Sequence, residues 1–294
     1  MFQFKRSIVI AALAAVTIPP VSGKGISRTV PQKAMYPQSV SLPVTNGLEN
    51  VIVETYYISD ANDATDTTGG LLAVGSTTYR IYIDLAAGYQ LQAIYGSSTH
   101  TCYINTSTVF FNNLDRGTTL GSQINKNTIG YNTVALDSWL SLGGATSGQM
   151  GILKTSDTDG SKVGGSHSDG GSAGIAGGIL ANTNAGAGVP LTTEDGLVTS
   201  SVIPQVTILG CDLSAFDGGN TGSSFTITDG SLASLNGVTG PTTDNQILIA
   251  QLTTTGSITF ELNIQVKGPD GTIQKYVAAN PQGTEIQFPG LARH

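Results

Sequence analysis

Charged residues are scarce in this chain. Only 11% of its 294 residues are Asp, Glu, Lys or Arg, and 13 basic residues stand against 20 acidic ones for a formal net charge of −7. Nucleic-acid-binding proteins usually present a basic surface, so this composition disfavours a nucleic-acid partner. Hydrophobic residues reach 39%, which is enough for a folded core and argues against disorder.

The residue types and motifs that carry most hydrolytic or metal chemistry are also rare. The three histidines, His100, His167 and His294, supply a zinc site poorly. No G-x-S-x-G motif is present. His167 and Asp169 lie beside serines in "GGSHSDGG", but sequence neighbours on one loop do not form a catalytic triad. We therefore expect a protein that is not an enzyme.

Long apolar runs are missing after the N-terminus. Residues 8–18 form an apolar run behind Lys5 and Arg6, and "PPVSGKG" follows it. The run is too short for a membrane span, which needs about 20 residues. It predicts a signal peptide over residues 1–23, and hence a secreted protein, extracellular or at the cell surface, with no membrane span. Loss of Lys5 and Arg6 leaves 11 basic residues against 20 acidic ones, a formal charge of −9.

Only two cysteines are present, Cys102 and Cys211. In a chain bound for an oxidising compartment, they predict one disulfide. The alternative is two separate buried thiols.

Segments with the residue pattern of β-strands are abundant in the sequence. "TTYRIYIDL" and "QLQAIYG" predict a hairpin over residues 77–95, and residues 258–266 alternate apolar and polar side chains at period two. With "QILIAQLTT" before and "TIQKYVAA" after, the latter stretch predicts a three-stranded meander. Residues 112–198 read as turns and short apolar pieces, and Trp139 among them is expected in the core.

An extended arm is predicted over residues 24–46, where three prolines interrupt any helical period. Within "SVSLPV", Val40, Leu42 and Val44 share one face, a pattern that suits addition of a strand to a sheet edge. The edge could belong to the same chain or to a neighbouring copy, and a disordered tail is the third alternative.

Two acidic clusters suggest calcium, the one cofactor that we consider. The first, in "KTSDTDGSKVGGSHSDGG", contains Asp157, Asp159 and Asp169, and the second, in "SDANDATDTTGG", contains Asp60, Asp63 and Asp66. The first cluster lacks the third ligand and the Glu of an EF-hand calcium loop. The glycine-rich stretch in the same segment lacks the Lys of a phosphate-binding loop. Solvated loops and Asx turns explain both clusters without a metal.

The stretches "VETYYISDANDATDTTGGLLAVGSTTYRIYIDL", "NTVALDSWLSLG" and "ILIAQLTTTGSITFELNIQVKGPDG" carry a family resemblance. The chain resembles an uncharacterised family of secreted bacterial β-rich surface or extracellular proteins over about residues 50–291. The resemblance implies export and a β-rich fold, and no catalytic residues.

These observations predict an all-β protein, a jelly-roll-like or Greek-key β-sandwich with long Gly-rich loops, in one domain over residues 47–294. The leading functional hypothesis is a non-enzymatic structural or adhesive protein whose partner is itself, as a subunit of a filament, sheath or surface layer. A carbohydrate-binding module that recognises surface glycans is the second hypothesis. A polysaccharide-active enzyme that uses carboxylates such as Glu54, Asp84 and Glu261 is the third.

Overall fold

The computed structural model describes residues 46–65, 68–163 and 180–294. In this part of the chain the regular structure is almost entirely β: β1 (Leu48–Ile58), β2 (Thr77–Leu85), β3 (Gln90–Gly96), β4 (Cys102–Thr106), β5 (Trp139–Leu140), β6 (Gly144–Thr146), β7 (Gln149–Gly151), β8 (Leu197–Thr199), β9 (Thr207–Leu209), β10 (Ser224–Ile227), β11 (Gly230–Val238), β12 (Gln246–Thr254), β13 (Ile258–Glu261), β14 (Ile264–Lys267), β15 (Ile273–Val277), β16 (Ile286–Gln287) and β17 (Ala292–Arg293).

Its helical segments are single turns of 3-10 helix: Asp63–Thr65, Gly121–Gln123, Val134–Leu136, Lys154–Ser156, Ala185–Ala187, Ser214–Phe216 and Pro289–Leu291. No helix in the described ranges is long and apolar enough to cross a membrane.

The strands form four sheets. Sheet A has the order β1-β2-β12-β5, and sheet B has the order β16-β15-β14-β3-β11-β9. Sheet C has the order β10-β4-β13-β17, and sheet D is the small set β6-β7-β8. The strand pairs are antiparallel except for β15 with β16. The predicted all-β sandwich is confirmed.

Sheet A is buried on both faces because its strands alternate between two cores. Ile81 and Ile83 of β2 enter a core shared with sheets B and C. Tyr82, between them, enters a second core with Leu248 and Trp139. The expectation that Trp139 is buried is confirmed, and part of the turn-rich region 112–198 builds the layer over this second core.

The predicted hairpin over residues 77–95 is wrong, although both of its strands exist. β2 pairs with β1 and β12, whereas β3 pairs with β11 and β14. The turn between them, closed by a hydrogen bond from the Tyr89 amide to the Ala86 carbonyl (3.1 Å), carries the chain from sheet A to sheet B. The two alternating strands thus belong to different sheets around the same core.

The predicted meander is also corrected, because the chain changes sheets between its strands. β12 lies in sheet A, and the alternating run breaks into β13 in sheet C and β14 in sheet B. Asn263 sits at the break and is buried, with its Nδ2 donating to the carbonyls of His100 (2.9 Å) and Tyr95 (3.2 Å). Only the hairpin of β14 with β15 survives from the meander.

The expected disulfide is absent, and both cysteines are free thiols. Cys102 begins β4 and points into the first core, where burial raises its pKa to about 12. Cys211 is partly exposed after β9, and its Sγ donates to the Leu209 carbonyl at 3.3 Å. The second alternative, two separate thiols, therefore describes the structure, although only Cys102 is fully buried.

Several predictions made from the sequence lie outside the described residues. They are the signal peptide, the arm with Val40, Leu42 and Val44, and the members Asp66 and Asp169 of the two acidic clusters.

Candidate functional site

The first acidic cluster is partly assembled as expected, with one member that the sequence did not suggest. Oxygens of Asp157, Asp159 and Asp195 all lie within 4.8 Å of one another. Asp157 follows the 3-10 turn Lys154–Ser156, and Asp195 precedes β8. The fold therefore brings together two loops that are separated by almost 40 residues.

Hydrogen bonds within the cluster join these two loops. Asp157 Oδ2 accepts from the amides of Asp195 (3.1 Å) and Gly196 (2.7 Å), and Gly196 has a positive φ of 67° that favours glycine. Asp159 Oδ1 accepts from the Ser161 amide (2.7 Å), and Ser161 Oγ donates to Asp195 Oδ2 (2.8 Å). The hydrogen bonds of these carboxylates thus hold the two loops together. These bonds explain the positions of the carboxylates without an ion.

The cluster also has unusual acid–base properties. Burial raises the pKa of Asp195 from 3.8 to about 7, and a hydrogen bond with the Asp157 carboxyl raises it further. Two close carboxyl groups favour either a shared proton or a hard cation, and oxygen ligands are those that calcium prefers. Calcium binding at this cluster stays a prediction.

A buried arginine lies next to the cluster. Arg80 is 1% exposed, in the middle of β2. Its Nε donates to Gln251 Oε1 (2.9 Å), one terminal nitrogen donates to the Gly196 carbonyl (2.8 Å), and the guanidinium stacks on the Tyr56 ring at 3.5 Å. A buried charge needs such partners to compensate for lost hydration, so Arg80 ties sheet A to the loop that contains Asp195.

Lys154 connects the same region to the edge of sheet A. Its Nζ donates to the carbonyls of Tyr56 (2.6 Å) and Ala187 (2.7 Å), and its amide donates to Glu54 Oε1 (2.9 Å). Burial lowers the pKa of Lys154 to about 8 and raises the pKa of Glu54. These groups are used for backbone hydrogen bonds, which is a structural role.

The carboxylates considered for polysaccharide chemistry are dispersed. Glu54 lies on β1, where it contacts Lys154, while Asp84 lies on β2 opposite Asn50. Glu261 lies on β13 in a different sheet.

The second acidic cluster forms a turn. Asp60 Oδ1 accepts from the amide of Asn62 (2.8 Å), which is an Asx turn. Asp63 is buried, accepts from the Asp60 amide (2.8 Å) and contacts the Tyr57 hydroxyl (3.3 Å). Burial raises the pKa of Asp63 to about 7. The turn alternative accounts for both of these described members.

The most conspicuous surface feature is the edge strand β9. All three of its residues are exposed, and on its outer side it has no strand partner within the described ranges. Leu209 is 68% exposed and Ile208 is 40% exposed. Nearby, Leu235 of β11 is 87% exposed and Val202 is 72% exposed. We call these four residues the β9 patch.

The β9 patch extends over both faces of sheet B. Ile208 pairs with the fully buried Leu232 and so shares its core-facing side, whereas Leu209 pairs with Ser231 on the outer face. Leu235 lines one pocket together with Leu209 and Ser231, on that same outer face. Between Val202 and Leu235 is a pocket of about 510 Å³, which Met150 and Ile203 also line. The core side and the outer side of the edge therefore both present apolar side chains to solvent.

Side chains cover carbonyl groups at this edge and at the long edge strand β1. On β9, Cys211 Sγ donates to the Leu209 carbonyl at 3.3 Å. Lys154 Nζ donates to the Tyr56 carbonyl at 2.6 Å, and Asn182 Nδ2 donates to the Ile58 carbonyl at 2.9 Å. What distinguishes β9 is its exposed apolar side chains, Ile208 and Leu209. An edge strand with exposed apolar side chains is a template for pairing with another chain, so β9 is the candidate interaction site.

Sequence reasoning missed this edge, as well as Asp195 and Arg80. In the stretch "VIPQVTIL", the consecutive apolar residues Ile208 and Leu209 are the available signal of an edge with both sides apolar. For Arg80, the signal was a single cation between the aromatic and β-branched residues of "YRIYI".

Comparison with protein-family models, curated protein sequences and solved structures gave no match for this chain. The resemblance to secreted bacterial surface proteins stays a prediction.

Proposed function

We propose that this protein is an exported, non-enzymatic structural subunit that assembles with copies of itself outside the cell. The observation that carries the proposal is the β9 patch. Monomeric soluble proteins protect edge strands with charges, prolines, bulges or covering loops. β9 is only three residues long, which limits pairing, but it has no charged residue and exposes Ile208 and Leu209.

The charged groups of the chain support a structural role. Arg80 and Lys154 are buried, and their side chains bind backbone carbonyls and a glutamine. Asp157 and Asp195 join loops. The hydrogen bonds of these charged side chains thus hold the covering loops on sheet A.

Assembly can be tested directly on the purified full chain. We expect sedimentation velocity to show particles that grow with protein concentration, and negative-stain microscopy to show regular assemblies. A protein that stays monodisperse across concentration, salt and calcium would overturn the proposal.

A matched pair of substitutions shows whether the β9 patch drives the assembly. Leu235→Ser removes an 87% exposed side chain from the patch, and Val74→Ser removes a 61% exposed side chain from the turn before β2. Because neither side chain is buried, both variants should keep the stability of the parent. We expect only Leu235→Ser to reduce assembly, and equal effects of the two variants would point to nonspecific association.

A further inference from the structure

We infer that the outer edge of β9 receives residues 40–44 of a second copy of this chain as an added strand. The inference rests on the proposed self-assembly and names its two contacting surfaces. The acceptor is the β9 patch, and the donor is the apolar face formed by Val40, Leu42 and Val44.

The chemistry of the two surfaces matches. An added strand completes the hydrogen bonding of a sheet edge through its backbone, and its alternate side chains enter apolar sites. Within "SVSLPV", the side chains of Val40, Leu42 and Val44 fall on one side of an extended chain. A proline in the added segment is compatible with its new position at the edge of the sheet.

The charges of the two parts are also complementary. Residues 24–46 contain Lys24, Arg28 and Lys33 and no acidic residue. Residues 47–294 contain all 20 acidic residues and 8 of the 13 basic ones, a formal charge of −12. A basic segment is therefore attracted to the surface of another copy.

The acidic groups near β9 suggest the direction of the added strand. Asp212 follows β9, and the Asp229 carbonyl lies close to Gly210 at the same end of that strand. A segment that runs antiparallel to β9 places the residues before Val40 beyond this end. Lys33 and Arg28 then lie on the side where Asp212 and Asp229 are located.

Each copy has both the donor segment and the acceptor edge, so the contact between copies is head-to-tail and can propagate.

Two pairs of variants of the full chain test the inference. On the acceptor side, Leu209→Asp is compared with Ile273→Asp, since both side chains are exposed (68% and 49%) and Ile273 lies on β15, away from β9. On the donor side, Leu42→Asp is compared with Ser41→Asp, which adds the same charge to the other side of the strand. We expect Leu209→Asp and Leu42→Asp each to raise the concentration for half-assembly about tenfold or more, the size of effect typical of an interface hot spot, with the controls close to the parent.

Cross-linking distinguishes contacts between copies from contacts within one copy. A mixture of ¹⁴N-labelled and ¹⁵N-labelled full chain is treated with a carbodiimide, which joins lysines to carboxylates. We expect mixed-isotope links from Lys33 to Asp212 or Asp229. Links found only within one copy would overturn the inference.

Failure of the inference can be told apart from failure of the proposed function. If the parent assembles and neither Leu209→Asp nor Leu42→Asp changes the assembly, the strand-addition contact is wrong and self-assembly stands. If the parent never assembles, the proposed function itself is wrong.

Discussion

At the residue scale, the protein places ionisable groups where their charged forms are poorly hydrated. Arg80, Lys154, Asp137 and Asp195 are all buried. Burial raises the pKa of Asp137 to about 8 even though its oxygens accept from the amides of Asn113 (2.7 Å) and Thr118 (2.9 Å). These groups fasten loops to sheet A, and the stability of the fold should therefore depend on pH.

The sign of this dependence can be worked out for Asp195. Its pKa is about 7 in the folded protein and 3.8 as an ordinary value, so between these pH values the folded state binds more protons than the unfolded state. Its contribution to the free energy of unfolding is full below about pH 3.8 and is lost as pH rises through about 7. We predict that Asp195→Asn flattens the fall in stability over this window, because the amide stays neutral.

Urea unfolding at half-unit steps between pH 4 and pH 8 measures this effect. Asp159→Asn, a substitution of the exposed carboxylate in the same cluster, serves as the control and should keep the slope of the parent. The same slope in Asp195→Asn and the parent would show that Asp195 does not hold the proton.

At the scale of secondary-structure elements, the main feature of the fold is that consecutive strands belong to different sheets. The chain leaves β3 in sheet B at Gly96 and next forms β4 in sheet C. A Cβ atom on Gly96 would lie 1.9 Å from the Ile227 carbonyl oxygen of β10. The two sheets therefore approach each other so closely here that no side chain fits.

We predict that Gly96→Ala lowers the free energy of unfolding by about 1–3 kcal/mol or more, because rigid backbone must move to admit the methyl group. Gly218→Ala is the matched control, since the nearest atom to its added Cβ, the Asn113 carbonyl oxygen, is 3.3 Å away. Urea unfolding midpoints give the comparison. Equal midpoints for the two variants would contradict the close approach of the sheets.

At the scale of the whole molecule, charge is distributed unevenly along the sequence. The basic segment 24–46 precedes a body of formal charge −12, while the β9 patch is apolar. In the proposed assembly, contacts between copies would combine attraction of opposite charges with apolar burial, and these two contributions respond differently to salt.

We predict that sodium chloride between 20 and 300 mM, a range that shortens the Debye length from roughly 20 Å to about 6 Å, slows assembly. Sodium sulfate should strengthen the final assembly, because it favours apolar burial. Light scattering after dilution from a dissociated stock measures both rate and extent. An assembly rate that does not change with sodium chloride concentration would show that electrostatic attraction does not contribute to assembly.

The sequence by itself determined that the alternating segments are extended and that their apolar side is buried. Burial of the opposite side of β2, at Arg80 and Tyr82, was decided by the tertiary structure. Residues 77–85 and 258–266 alternate apolar and polar side chains, and this local pattern is sufficient to predict extended structure with a buried side. Trp139 was expected in the core because its own side chain is large and apolar, which is also a local property of the sequence.

Only the tertiary structure decided which strands pair and which charged groups meet. β2 pairs with β12, Asp157 meets Asp195, and Arg80 meets Gly196, over separations of 38 or more residues. Alternation identifies one side of a strand that is buried but is equally compatible with any partner that has an apolar face. The partner is instead chosen by how all the strands together fill the cores and satisfy the buried polar groups, and no short stretch of sequence contains that information.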